Sequence, residues 1–145
     1  MKFKFIKTQQ PEYYQECMLR WEVQHKPFGV PPDSNLFPEE ENSLHLVALE
    51  GKEVVGCVIF HFKSEGEGEI EPMTISSTYK GVGFGRKLVH ALEKALIARG
   101  IRQVVLFAKE EAVNFYHHLG YHSESQKIVK FGIPHIAMKK LLAAS

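Results

Sequence analysis

The sequence predicts an α/β (α+β) fold, a mixed and mostly antiparallel sheet with helices on both faces, and three observations carry that prediction. Glu53 to Phe62 contains a nearly continuous apolar run, Val54-Val55-Gly56-Cys57-Val58-Ile59-Phe60, the pattern of a strand buried on both faces. After residue 86 the chain turns amphipathic at helical spacing. Leu88, Val89, Leu92, Ala95 and Leu96 share one face, and Arg86, Lys87, His90, Glu93 and Lys94 lie largely on the other. Strand-like and helix-like segments follow one another in the order β-α-β-β-β-α-β-α-β-β, which layers helices over a sheet.

Taken in order, Phe3 and Phe5 share one side of a short first strand, with Lys4 and Ile6 on the other. Pro11 suits the first turn of a helix running to about Gln24, along which Tyr14, Met18 and Trp21 recur at helical spacing. Lys26 to Asn42 carries Pro27, Gly29, Pro31, Pro32 and Pro38; a loop this long in a compact domain is more often a binding loop or lid than a passive connector. Leu44 to Leu49 and Glu53 to Phe62 read as a hairpin about Glu50-Gly51-Lys52. In the next strand, Glu69 to Ser76, Pro72 has no N–H for a ladder and marks an edge, a bulge or a parting of strands. The following helix ends at Gly100. Ile101 to Ala108 is a further buried strand, and Ala112 to Leu119 a short helix stopped by Gly120. Ile128 to Phe131 and His135 to Lys139 pair as a closing hairpin about Gly132-Ile133-Pro134. Residues 1–145 are expected to form a single domain.

Composition narrows the function classes. With 44% hydrophobic and 24% charged residues the chain is an ordinary globular sequence, and a formal net charge of +1 argues against a nucleic-acid surface. Nothing approaches the ~18 consecutive apolar residues of a membrane span. Met1 to Lys7 alternates charge and bulk without a signal core, so the expected location is cytoplasmic. Cys17 and Cys57 are far apart, and the neighbours His117 and His118 point different ways on a helix; neither set has metal-site spacing.

The stretch with the most chemical content is Lys80-Gly81-Val82-Gly83-Phe84-Gly85-Arg86, placed between a strand and a helix. Glycines let the backbone approach a ligand closely, and a helix start adds unpaired N–H groups and a positive dipole end. Together they suit a phosphate or pyrophosphate. Two familiar phosphate loops fail the count. A dinucleotide fingerprint needs glycine at 86 or 88, where Arg86 and Leu88 stand, and a nucleotide P-loop needs Gly-Lys at 86 and 87. On this loop alone, a glycine-rich turn without a ligand stays open.

With Ala112-Val113-Asn114-Phe115-Tyr116-His117-His118-Leu119-Gly120-Tyr121 downstream, the chain resembles the Gcn5-related N-acetyltransferases, a family using acetyl-CoA. The family's loop, Gln or Arg, two residues, Gly, one residue, Gly or Ala, is matched here with lysine in first place, and its Ala-x-x-Phe-Tyr-x-x-Leu-Gly-Phe by the second segment. Leu19-Arg20-Trp21-Glu22-Val23 and Gly132-Ile133-Pro134-His135-Ile136-Ala137-Met138 are similar to a branch containing glyphosate N-acetyltransferase. Glu71 stands where that branch commonly carries arginine.

The resemblance implies direct transfer of an acetyl group from acetyl-CoA to the primary amine of a small molecule, without nucleic acid or membrane as partner and with a homodimer as an open option. It implies coenzyme binding at Lys80, Gly81, Val82, Gly83, Phe84, Gly85 and Arg86, and along the backbone at Met73, Thr74 and Ile75. Tyr116 is the implied proton donor to the thiolate. For the base, His135 is the first choice and Glu71 the second, since histidine titrates near neutrality. Arg20, Trp21 and Lys109 are expected near the acceptor; Glu71, as a carboxylate in place of a cation, favours an amine bearing positive charge, whereas Arg20 and Lys109, if both face the pocket, favour a zwitterion. The competing class is a non-catalytic acyl-CoA-binding or sensor module of the same fold.

Overall fold

In the computed structural model the described residues are 1–32, 37 and 40–142, and among them seven strands form one sheet. They are β1 (Lys2–Ile6), β2 (Leu44–Glu50), β3 (Glu53–Ser64), β4 (Glu67–Ile75), β5 (Gln103–Lys109), β6 (His122–Lys130) and β7 (Ile133–Leu141), in spatial order β1-β2-β3-β4-β5-β7-β6. All neighbouring pairs are antiparallel except β4–β5. Helix α1 (Pro11–Gln24) covers one face, and α2 (Phe84–Ala98) with α3 (Val113–His118) the other. The mixed, mostly antiparallel architecture expected from the sequence is the one that forms.

The reason is visible in β2 and β3. Leu46 and Ala48 point to the α2 face and Val47 and Leu49 to the α1 face, so a run without polar interruptions is what two covered faces require. The larger core gathers Leu88, Leu92 and Leu96 of α2 against Phe60, Ile70, Val104, Leu106 and Met138. The smaller packs Leu19 of α1 on Ile6, Val47, Leu49, Val54 and Cys57. Burying each large aliphatic side chain fully stabilises the fold by roughly 1.5–3 kcal/mol.

Several expectations shift. Helix α2 begins at Phe84, so Phe84, Gly85 and Arg86 form its first turn instead of the end of the loop. Glu93, assigned to the polar helical face, is buried, because the Tyr121 hydroxyl (2.7 Å) and the Lys140 ammonium (3.1 Å) satisfy its carboxylate. The last hairpin turns at Phe131-Gly132 instead of Gly132-Ile133-Pro134: Lys130 pairs with Ile133, and both turn residues have positive φ, 52° and 75°. Pro134 falls inside β7 but beyond its last β5 partner, so no donor is missed on that side. Strand β6 starts as early as His122. In the expected loop, Lys26–Phe28 makes a single 3₁₀ turn, whereas 33–36 and 38–39, Pro38 among them, lie outside the described residues.

Candidate active site

The site begins with a failure of pairing. β4 and β5 are joined only at Glu67–Gln103, Gly68–Val104 and Glu69–Val105. Beyond these, β4 runs on beside β3 to Ile75 and β5 beside β7 to Lys109, so the sheet opens between them. Six further residues on β4 and four on β5, at about 3.3 Å apiece, make the opening roughly 13 Å deep along its shorter side. Pro72 stands in the opened part. Val58 of β3 there opposes both Pro72 and Met73, a β-bulge where the proline's missing N–H breaks the ladder.

The β4 strand leads through a 3₁₀ turn, Ser77–Tyr79, into the glycine loop. Gly81 and Gly83 have φ of 80° and 86°, values that L side chains rarely adopt, and a side chain on either would meet nothing, so their backbone faces open space. Among the described residues the N–H groups of Gly81, Val82 and Gly83 find no backbone acceptor, and Gly83 caps α2, whose first-turn N–H groups are unpaired by construction. This cradle of donors at a positive helix end fits a pyrophosphate. Gly85 has a different use. A Cβ there would lie 2.8 Å from Met73 Cε and 3.1 Å from Ile75 Cδ1, so its hydrogen lets α2 settle on the end of β4. The Phe84 ring is buried in the core, and only its backbone is available to a ligand.

Tyr116 reaches the bulge from α3. Its ring is 2% exposed, and its hydroxyl accepts a hydrogen bond from the Met73 N–H at 3.1 Å. Burial raises its pKa and the Met73 N–H partly offsets this, leaving it at about 12.

On the α1 face the sheet carries a continuous polar network. The Arg20 guanidinium, 1% exposed, binds Glu40 through two bonds of 2.7 Å, Glu71 at 2.8 Å and Glu16 at 3.3 Å. Glu16 also accepts from His45 Nδ1 at 3.0 Å, and His45 Nε2 lies 2.9 Å from the Glu40 carbonyl. Both partners only accept, so both ring nitrogens carry protons and His45 is an imidazolium. Burial opposes that charge, but the Glu16 hydrogen bond and charge outweigh it and raise the pKa. Three carboxylates against one guanidinium and one imidazolium leave the network negative. Burial likewise pushes Glu71 up, yet the His61 hydrogen bond and the Arg20 charge hold it at about 2.

The sequence-predicted residues therefore separate into groups. Met73, Thr74, Ile75 and Tyr116 meet at the bulge, and Lys80 to Arg86 follow at the helix start. Glu71 and Arg20 are in direct contact, so the carboxylate meets a guanidinium within the protein itself. Arg20 is buried among carboxylates instead of free to meet an acceptor. The Trp21 indole N–H donates to the Val30 carbonyl at 2.7 Å, pinning the chain that leaves α1. His135 and Lys109 face each other across β5 and β7 on the far side of the opening. His135 is 7% exposed and donates Nδ1–H to the Ile133 carbonyl at 2.9 Å, which leaves Nε2 without a hydrogen-bond partner among the described residues.

Sequence reading missed Glu40, Ser43 and His61. His61 pairs opposite Glu69 and bonds Glu71 at 2.7 Å; with Ser43, Asn42 and Glu69 it lines a cavity of about 520 Å³, within the usual size of a small-molecule site. The one available signal was a histidine between Phe60 and Phe62 in an apolar strand. Glu40 and Ser43 lie in a stretch without periodicity, where no local pattern marks them.

Known proteins agree with this architecture. The family model described as an acetyltransferase (GNAT) domain matches residues 31–142. The uncharacterized N-acetyltransferase YjcF of Bacillus subtilis (strain 168) is 33% identical over 123 residues, 84% of this chain and 87% of that protein. Among solved structures, an aminoglycoside 6'-N-acetyltransferase complexed with coenzyme A superposes with a TM-score of 0.84 at 19% identity, covering 100% of this chain and 99% of that one. Escherichia coli ElaA gives 0.80 at 20% identity, covering 97% and 99%. The chain belongs to the GNAT acetyltransferases, enzymes that take their acetyl group from acetyl-CoA.

Proposed function

We propose that this acetyltransferase passes the acetyl group directly to the primary amine of a small molecule, and that the amine is one carrying positive charge. The observation that carries the reading is the opened β4–β5 join, where the Met73 N–H and the Tyr116 hydroxyl meet at 3.1 Å beside the glycine loop. Bound acetyl-CoA supplies an activated thioester. The backbone N–H groups from Lys80 to Arg86 hold the pyrophosphate, and Phe84 and Gly85 act there through backbone alone. The backbone at Met73, Thr74 and Ile75 lies along the pantetheine arm. An N–H aimed at developing negative charge lowers a barrier by about 2.7–4 kcal/mol.

Tyr116 gives its proton to the leaving thiolate. A pKa near 12 keeps the phenol protonated until a strong base forms beside it. His135 acts as base through Nε2, the nitrogen left free by the Ile133 hydrogen bond. Glu71 is the weaker candidate, because a carboxyl held at about 2 has little affinity for a proton at neutral pH. Its contribution is electrostatic, together with Glu16 and Glu40, and the excess of carboxylate over cation supports a cationic acceptor. Lys109 and Trp21 border the acceptor from the two sides of the opening. Leu19 to Val23 and Gly132 to Met138 support a place in the branch of glyphosate N-acetyltransferase.

The test is thiol release with acetyl-CoA and three amines, 1,4-diaminobutane, serine and glutamate, after coenzyme A binding is measured by calorimetry. The diamine should be fastest, and both Tyr116→Phe and His135→Ala should lose turnover while binding coenzyme A. Preference for glutamate overturns the charge assignment. Tight binding without turnover supports the sensor module instead.

A further inference from the structure

The α1-face cavity has one corner built from Ser43, His61 and Glu71, and these side chains are joined end to end. Ser43 Oγ lies 2.7 Å from His61 Nδ1, and His61 Nε2 lies 2.7 Å from Glu71 Oε1. Chemistry sets the direction of the chain. An ionised carboxylate only accepts, so Nε2 carries a proton, and in the neutral form of the ring Nδ1 is then the lone pair. To that form the Ser43 hydroxyl donates, keeping its own lone pairs for a donor in the cavity. Glu71 is held for this task, since its other oxygen takes the Arg20 bond at 2.8 Å. His45 offers a contrast: both its nitrogens face acceptors, so it has no lone pair with which to take a proton.

We propose that Ser43, His61 and Glu71 form a proton relay that deprotonates the acceptor's ammonium group. The proposal rests on the amine-acceptor reading above. Ser43 Oγ meets the substrate, His61 receives the proton through it, and Glu71 is a positioning residue. An ammonium N–H bond breaks as a new Oγ–H bond forms on Ser43, whose original O–H bond breaks as His61 Nδ1–H forms. The electron pair of the broken N–H bond stays on nitrogen, which becomes a neutral nucleophile. Forming an amide from an ammonium removes two protons from nitrogen; the relay takes the first and His135, across the opening on β7, is left for the second.

Carboxylates surround the imidazolium that results. Glu71 is bonded to it, a Glu40 carboxylate oxygen lies within 4.8 Å, and Glu69 stands opposite in the β3–β4 ladder. Against these carboxylates stand Lys63, 3.8 Å from Glu69, and Arg20, which reaches His61 only through Glu71. The His61 side chain is 22% exposed, open enough to return the proton to water.

The test follows kcat/KM against pH for the full chain with acetyl-CoA and 1,4-diaminobutane. Ser43→Ala and His61→Gln should each lose about 10²-fold at pH 7, the usual scale of proton-transfer catalysis. The loss should shrink as pH rises and water itself supplies neutral amine, and Ser43→Thr should retain most of the rate. A loss of equal size at every pH, or none, overturns the relay. Without coenzyme or amine, nitrogen NMR of the wild type should show neutral His61 protonated at Nε2; protonation at Nδ1 overturns the relay as well. Wild-type enzyme that binds coenzyme A yet releases no thiol with 1,4-diaminobutane, serine or glutamate overturns the acceptor reading, and the relay with it.

Discussion

The Met73 N–H donates to the Tyr116 hydroxyl at 3.1 Å, tying the bulge of β4 to the short helix α3. A phenol oxygen that accepts at one lone pair keeps its own proton for a different partner. The contact therefore orients Tyr116 as a donor, and burial keeps it protonated. Tyr116→Phe removes that proton and little volume. Turnover should fall about 10²-fold with coenzyme A affinity nearly unchanged, a split that steady-state kinetics and calorimetry resolve.

Gly83 caps α2 at a φ of 86° with open space where a side chain would stand. Gly83→Ala thus meets no clash, only the left-handed conformation, at about 1–2 kcal/mol. If the loop relaxes to escape that strain, its N–H groups turn from the pyrophosphate. A denaturation midpoint should fall modestly and the KM for acetyl-CoA should rise, whereas Gly51→Ala, in the distant β2–β3 turn at a φ of 62°, should lower stability alone.

Arg20 is the only guanidinium in contact with Glu16, Glu40 and Glu71 among the described residues. Arg20→Leu preserves bulk but takes from the buried Glu40 carboxylate its bonded cation and leaves Glu16 and Glu71 only their histidine partners; breaking a buried pair costs about 3–5 kcal/mol. Urea unfolding should register a loss of that order. Adding Glu40→Gln to the variant should recover part of it, and a further loss would mean that repulsion is not its source.

Glu71 has its folded pKa depressed from 4.5 to about 2. A depressed carboxyl contributes stability that is complete above its unfolded value and disappears as pH falls through the folded one. Stability should therefore decline between pH 4.5 and 2, and the decline should be shallower in Glu71→Gln. Urea midpoints at pH 5, 4 and 3 for both proteins measure the difference in slope.

What sequence alone made legible follows from how local each cause is. Apolar runs placed β2 and β3, Pro11 placed the start of α1, and Pro72 marked the parting of strands, because each acts through its own backbone neighbours. Glycines 81 and 83 and Tyr116 were legible for the same reason. The acceptor side was not. Its network joins Glu16 and Arg20 of α1 with Glu40, His45, His61 and Glu71, residues from five segments that only the folded sheet brings together. Arg20 and Glu71 were noticed separately, but their 2.8 Å contact, which changes the meaning of both, has no trace in spacing.

The extra residue at Pro72–Met73 also shifts the phase of β4. Before it, odd-numbered Glu69 and Glu71 share the α1 face; after it, Thr74 takes that face, bonded by Gln24, while Met73 and Ile75 turn toward Gly85 of α2. Strict alternation would have put Met73 beside Glu71 and Thr74 on the opposite face. One strand thereby serves two half-sites, with acidic side chains toward the acceptor before the bulge and apolar ones toward the coenzyme helix after it. Removing a single residue here would leave every side chain's chemistry intact and exchange the two addresses.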